Sequence, residues 1–136
     1  MPFVLDASVT IAWLLDEDTA YASLSLLERM ADEGAIVASV WPLEISNALC
    51  MSEVHRRITS SECLNFATEV EAMLITVDET SLNRALGVIS ALASEYRLTV
   101  YDASYLELAI RADLPLATID GPLRQAALRA GVQLLH

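Results

Sequence analysis

The 136-residue chain contains no lysine, and all eight of its basic residues are arginine. That absence excludes a phosphate-binding loop of the Walker type, whose lysine reaches the phosphates, and any Schiff-base or other lysine-dependent chemistry. Histidine is almost as scarce. With only His55 and His136 present, neither a histidine-rich metal site nor a Ser-His-Asp triad is expected, and both residues read as ordinary surface positions. The two cysteines, Cys50 and Cys63, lack a Cys-x-x-Cys partner. They are expected to be buried free thiols in helices, where cysteine behaves as a small apolar residue. Charges interrupt every apolar run before it reaches the roughly 18 residues of a membrane span. No basic segment precedes an apolar stretch at the N-terminus, so a secretory signal is not expected and the expected location is the cytoplasm. Positive charge is in deficit overall: the net charge is −11, the opposite of the basic footprint of a general nucleic-acid binder.

What is abundant is apolar surface. Hydrophobic residues make up 54% of the chain, which excludes disorder, and the length suits one domain, residues 1–136, with a substantial core. Short β-rich runs at residues 3–5, 35–38, 74–77, 116–119 and 132–135 read as buried strands. Segments with apolar residues at three- and four-residue intervals read as helices, at 8–15, 20–32, 42–57, 59–73, 81–96, 101–112 and 123–130. Gly34 and Gly131 are placed to end helices, Pro42 to open one, and Thr59-Ser60-Ser61-Glu62 has the capping-box spacing. Alternation of this kind predicts an α/β fold with a largely parallel sheet covered on both faces. The helical pair 42–73 is longer than a minimal crossover and suits a lid or an association surface.

In open parallel sheets ligands collect beyond the carboxyl ends of the strands. Asp6 directly follows the first predicted strand and Asp120 the fourth, so neighbouring strands would bring both carboxylates to one crevice. Each could equally cap the following helix. Glu44 lies in the otherwise apolar Trp41-Pro42-Leu43-Glu44-Ile45, with Asn47 at i+3 on the same helical face; the alternative role is compensation of the helix dipole. Asp102 opens Tyr101-Asp102-Ala103-Ser104-Tyr105, again amid apolar residues. A buried carboxylate needs a partner, and with no lysine and few arginines nearby a metal cation is the simplest. Two carboxylates roughly 6 Å apart repel by about 2–3 kcal/mol at an effective dielectric near 20. A hard divalent ion relieves that repulsion, and oxygen-only ligands suit Mg²⁺ or Mn²⁺, which can activate water and stabilise charge on a phosphate. This reading reaches metal-dependent phosphoester chemistry without specifying RNA. The other acids, including Asp16-Glu17-Asp18, Asp78, Glu79, Glu107 and Asp113, read as ordinary turn, helix-end or solvated residues, with Glu107 facing away from Asp102.

Leu5-Asp6-Ala7-Ser8, then Pro42-Leu43-Glu44 with Asn47-Ala48, resembles the first half of a PIN domain. Tyr101-Asp102-Ala103 with Tyr105-Leu106-Glu107-Leu108-Ala109, then Thr118-Ile119-Asp120, resembles the second half. The compact length is similar to the VapC toxins of toxin–antitoxin pairs. The resemblance implies a three-layer fold with a five-stranded parallel sheet in the order 3-2-1-4-5. It also implies a catalytic metal site of Asp6, Glu44, Asp102 and Asp120, with Ser8, Asn47 and Thr118 as supporting polar residues. The implied activity is that of a Mg²⁺- or Mn²⁺-dependent endoribonuclease acting on RNA, a homodimer restrained by a cognate antitoxin. One departure stands out: Gly121-Pro122 follows Asp120 where many relatives carry a basic residue, leaving Arg124 as the nearest positive charge. Arg56, Arg57, Arg111 and Arg124 are the candidate RNA contacts, although each also reads as a surface or helix-end residue. Another metal-dependent phosphoesterase or phosphatase, and a non-catalytic PIN-fold interaction module, are the alternatives. Ser8 stands where an aspartyl phosphatase would need its second aspartate.

Overall fold

Phe3–Leu5 (β1) is completely buried at the centre of a five-stranded sheet ordered β3-β2-β1-β4-β5. All four pairings are parallel. The structure is a computed structural model that describes residues 1–15 and 24–135. The predicted Asp16-Glu17-Asp18 turn, the start of the helix expected at 20–32, and His136 lie outside those residues. The expected α/β class and strand order are both found. β1 pairs with Ala35–Val37 (β2) on one side and Leu116–Ala117 (β4) on the other, in the registers Phe3↔Ala35 and Val4↔Leu116. Ile75–Val77 (β3) and Leu134–Leu135 (β5) complete the edges. Expectation and structure part at those edges: β3 and β5 are only partly covered, because an edge strand has a neighbour on one side alone and its flanking helices do not close over it.

The helices are Ala7–Leu15 (α1), Leu24–Glu33 (α2), Trp41–Val54 (α3), Ser60–Glu71 (α4), Ser90–Tyr96 (α5), Val100–Ala112 (α6) and Gly121–Arg129 (α7). Their ends follow local chemistry. Gly34 takes φ +80° and returns its N–H to Met30 O at 2.8 Å, ending α2 in the left-handed conformation that glycine accepts without strain. Thr59 caps α4 in a complete capping box with Glu62. α4 has no fully buried residue. Cys63 on it is therefore only partly covered and Cys50 on α3 is exposed, against the expectation of two buried thiols. No described helix is long and apolar enough to cross a membrane.

The predicted continuous helix at 81–96 is instead a 3₁₀ turn at Leu82–Arg84, a π-helical segment at Ala85–Ile89, and then α5. The irregular turns carry Ile89 into the core and Arg84 onto Glu107, while Leu86 is 99% exposed. This segment packs on α6, whose residues from Ala103 to Ala109 are all buried because the helix is enclosed between it and the sheet. Glu107 is consequently only 2% exposed, so the reading of it as an ordinary acid is wrong. It accepts hydrogen bonds from Arg84 Nε, Arg111 Nε (2.8 Å) and Arg111 Nη2 (3.1 Å). Arg111 extends the network to Asp78 Oδ2 at 2.6 Å. Burial alone would raise the Asp78 pKa, but the bonds from Arg111, Ser81 and Thr80 hold it at about 2.

Breaking a fully buried ion pair from one side costs about 3–5 kcal/mol, because the partner charge is left uncompensated. Both guanidiniums here are partly exposed, so Glu107→Gln is expected to destabilise by about 2 kcal/mol after allowance for solvent screening. Urea unfolding should show a lower midpoint with an unchanged slope. An unchanged midpoint would show that solvent satisfies both arginines.

Candidate active site

The sheet order reverses beside β1, the switch point at which open parallel sheets offer a crevice beyond the ends of their strands, here β1 and β4. Asp6 is the first residue beyond β1, and Thr118 and Asp120 lie just beyond β4. The Asp6 side chain is 3% exposed. Its Oδ2 accepts hydrogen bonds from Ser8 Oγ at 2.7 Å and Thr118 Oγ1 at 2.6 Å. Each hydroxyl is oriented in turn by a backbone donor: Ile119 N–H to Ser8 Oγ (3.2 Å) and Asp120 N–H to Thr118 Oγ1 (3.0 Å). The ends of β1 and β4 are thus laced through one carboxylate, and Arg124 Nη1 secures the Thr118 carbonyl at 2.9 Å.

The other acids arrive on helices that start at the same end of the sheet. Asp120 caps α7, accepting Leu123 N–H at 3.0 Å. Asp102 stands in the first turn of α6, where Thr99 caps its N–H at 3.1 Å. Glu44, in the first turn of α3, is half-buried and accepts the Tyr105 hydroxyl at 2.8 Å. Capping is therefore real for Asp120, yet it does not compete with membership of the cluster.

Three of these acids hold their protons more tightly than free carboxylates do. Burial pushes Glu44 up to about 7, with the charges of Asp6 and Asp102 adding to the effect and the Tyr105 bond opposing it. Burial likewise raises Asp102 to about 6, reinforced by Asp120 and Asp6. Asp6 is raised by burial against the bonds from Ser8 and Thr118, and Asp120 raises it further. Among the described residues, the partners of these carboxylates are neutral hydroxyls, the Leu123 N–H and one another, in contrast to Glu107 with its two arginines.

Among the described residues, no three His, Cys, Asp or Glu side chains close into a ready-made metal cage. The donor set is nonetheless all oxygen and carries uncompensated negative charge, which suits a hard divalent ion rather than a soft one. Six of the seven residues singled out in the sequence, Asp6, Ser8, Glu44, Asp102, Thr118 and Asp120, meet here. Asn47 does not join them: it is exposed one turn beyond Glu44, outside the acids' hydrogen bonding. Of the arginines considered as RNA contacts, Arg111 is committed to Glu107 and Asp78, while Arg56 and Arg57 are exposed past the end of α3. The sequence reading overlooked Tyr105 as a partner of Glu44. Its position three residues after Asp102, on the same face of α6, was the available signal.

The pattern of the PIN domain family matches residues 3–128. The chain belongs to the PIN domain family. The PIN domain is a nuclease fold, and its nucleases generally use divalent metal ions. The crystal structure of PAE2754 from Pyrobaculum aerophilum shares the architecture of this PIN domain with a TM-score of 0.64, over 93% of this chain and 86% of that one, at 21% identity. No curated protein matches in sequence.

An acid whose native pKa is raised opposes folding once it ionises. Its stabilising contribution is complete below its unfolded pKa and is lost as pH rises through the native value. For Glu44 and Asp102 that loss falls between about pH 4 and 7. In EDTA the melting temperature is therefore expected to be higher near pH 5 than near pH 8, and Glu44→Gln or Asp102→Asn should flatten the dependence. A slope unchanged in both variants would contradict it.

Proposed function

We propose that this PIN domain is a metal-dependent endoribonuclease, the toxin of a type II toxin–antitoxin pair. The observation that carries the reading is the gathering of Asp6, Glu44, Asp102 and Asp120 beyond β1 and β4, where no salt bridge forms among the described residues like those of Arg84 and Arg111 with Glu107. An open group of carboxylates suits Mg²⁺ or Mn²⁺, since Mg²⁺ keeps several waters and is usually held by one or two carboxylates together with substrate phosphates. When bound, the ion supplies Lewis-acid charge at the phosphate and lowers the pKa of water.

The chain's own residues have distinct tasks in this reading. Ser8 and Thr118 hold Asp6 in one orientation, and the cap on α7 fixes Asp120. Glu44 and Asp102, whose protonation is favoured by burial and further by the neighbouring carboxylates, would ionise more readily beside a cation. Cleavage would leave a 5′-phosphate and a 3′-hydroxyl. The compact length and the motif order, similar to the VapC toxins, support the toxin role and a cognate antitoxin that covers the acidic crevice. Homodimerisation is supported by exposed apolar residues on the 42–73 pair: Leu43, Met51 and Val54 on α3 and Leu64 on α4.

Asp102→Asn and Asp6→Asn are expected to abolish RNA cleavage while leaving the circular dichroism spectrum intact. Sequencing RNA ends after induced expression, against an Asp102→Asn control, reads activity and cut position together. Cleavage that persists undiminished in EDTA would overturn the metal mechanism. In light scattering the chain should be a dimer that Leu43→Asp with Val54→Asp converts to monomer; a wild-type monomer across micromolar concentrations would exclude the association.

A further inference from the structure

Tyr105 is 0% exposed, and its phenol meets a site acid rather than one of the backbone carbonyls that commonly satisfy a buried hydroxyl. The hydroxyl donates to Glu44 Oε1 at 2.8 Å. A hydroxyl has one proton to give. That proton goes to Glu44, so the phenol acts on it as a donor. Two elements far apart in sequence meet at this one oxygen: α3 through Glu44, and α6 through Tyr105 itself. Glu44 has particular need of such a restraint. It is a long, rotamer-rich side chain at a half-buried helical position between exposed Leu43 and buried Ile45, and ordering such a side chain costs conformational entropy. Asp6 and Asp102, by contrast, are short, and Asp6 is already held by Ser8 and Thr118.

We infer that Tyr105 is a positioning residue for Glu44, holding one carboxylate oxygen so that the other is presented to a divalent cation. The inference rests on the metal-dependent reading proposed above and goes beyond it by assigning a role to a buried residue that bears no charge. Hydrogen-bond partners behind a metal ligand orient it and raise its affinity for the ion, and their removal typically weakens binding by about 10–100-fold.

The test is Mn²⁺ binding near pH 7.5, read from the electron paramagnetic resonance signal of free Mn²⁺, for wild type, Tyr105→Phe, Glu44→Ala and the double variant. The phenylalanine keeps the ring and its packing. A melting curve in EDTA sets an assay temperature at which every variant is folded. Tyr105→Phe is expected to weaken Mn²⁺ binding by about 10–100-fold in the wild-type background and by less than about 2-fold in the Glu44→Ala background, the non-additivity of two groups that act as one. Equal Mn²⁺ affinities for wild type and Tyr105→Phe would overturn the inference while leaving the metal reading standing. The same loss in both backgrounds would also overturn it, since Tyr105 would then act other than through Glu44. A wild-type chain that binds no Mn²⁺ would overturn the metal reading, and this inference with it.

Discussion

The Asp6 carboxylate sits where the two halves of the sheet part company, and the geometry of the crevice depends on how it is held. Nearly all of its surface is removed from water, which raises its pKa and would expel an unsatisfied carboxylate from such a place. Two hydroxyls prevent that. Ser8 is supplied by the helix following β1 and Thr118 by the chain leaving β4, so satisfying one oxygen ties the neighbouring strands together at their carboxyl ends. Because both hydroxyls accept backbone N–H groups from Ile119 and Asp120, the path of the β4–α7 turn is fixed by the same interaction, and so is Asp120 at the head of α7. The site is in this sense a consequence of solvating one buried acid with neutral groups.

A second buried acid, Glu107, shows what the alternative looks like. It lies on the same helix as Asp102 and is equally apolar in its sequence surroundings, but it is satisfied by two guanidiniums. Its charge is spent on binding the irregular 82–89 segment and α6 into one unit, and little field is left over. At the crevice the hydrogen bonds come from hydroxyls, which stabilise a carboxylate without cancelling its charge. Identical chemical groups are made structural in one place and electrostatically unsatisfied in the other by the choice of partner alone. Uncompensated charge of that kind is what a cation can exploit.

Much of this was legible in the residues because it rests on short-range or topological rules. The strand at Phe3–Leu5, the Gly34 stop and the Thr59 capping box are local. The meeting of Asp6 with Asp120 follows from two acids that each terminate a strand in a parallel sheet, once β1 and β4 are neighbours. What was not legible depends on contacts between elements far apart in sequence. Glu107 looked like a solvated helical acid because nothing local says that residues 82–89 will cover it; the Arg111 four residues later was the one hint. Tyr105 was not singled out because its hydroxyl partner is 61 residues away. The expected 81–96 helix breaks into 3₁₀ and π turns that carry Ile89 into the core and bring Arg84 to Glu107, a contact 23 residues away in sequence. Cys50 and Cys63 were misjudged because residue type predicts burial only on average, and the α3–α4 pair turns one of its faces outward.

The absence of lysine and the charge of −11 bear on how such a site would meet RNA. A polyanion approaching this surface gains little from counterion release, since that gain scales with the phosphates neutralised by basic side chains. Arg84 and Arg111 are held by Glu107 and Asp78, which removes two of the eight positive groups from the count. Favourable electrostatics would then be confined to the crevice, arising only where a cation overcomes the field of the four carboxylates. In the proposed reading, attraction and chemistry share one location, and a phosphate is bound well only where it can also react. Bulk RNA affinity would be low, and target choice would fall to shape and to the uncharged residues beside the acids, among them exposed Tyr101 and Ile119.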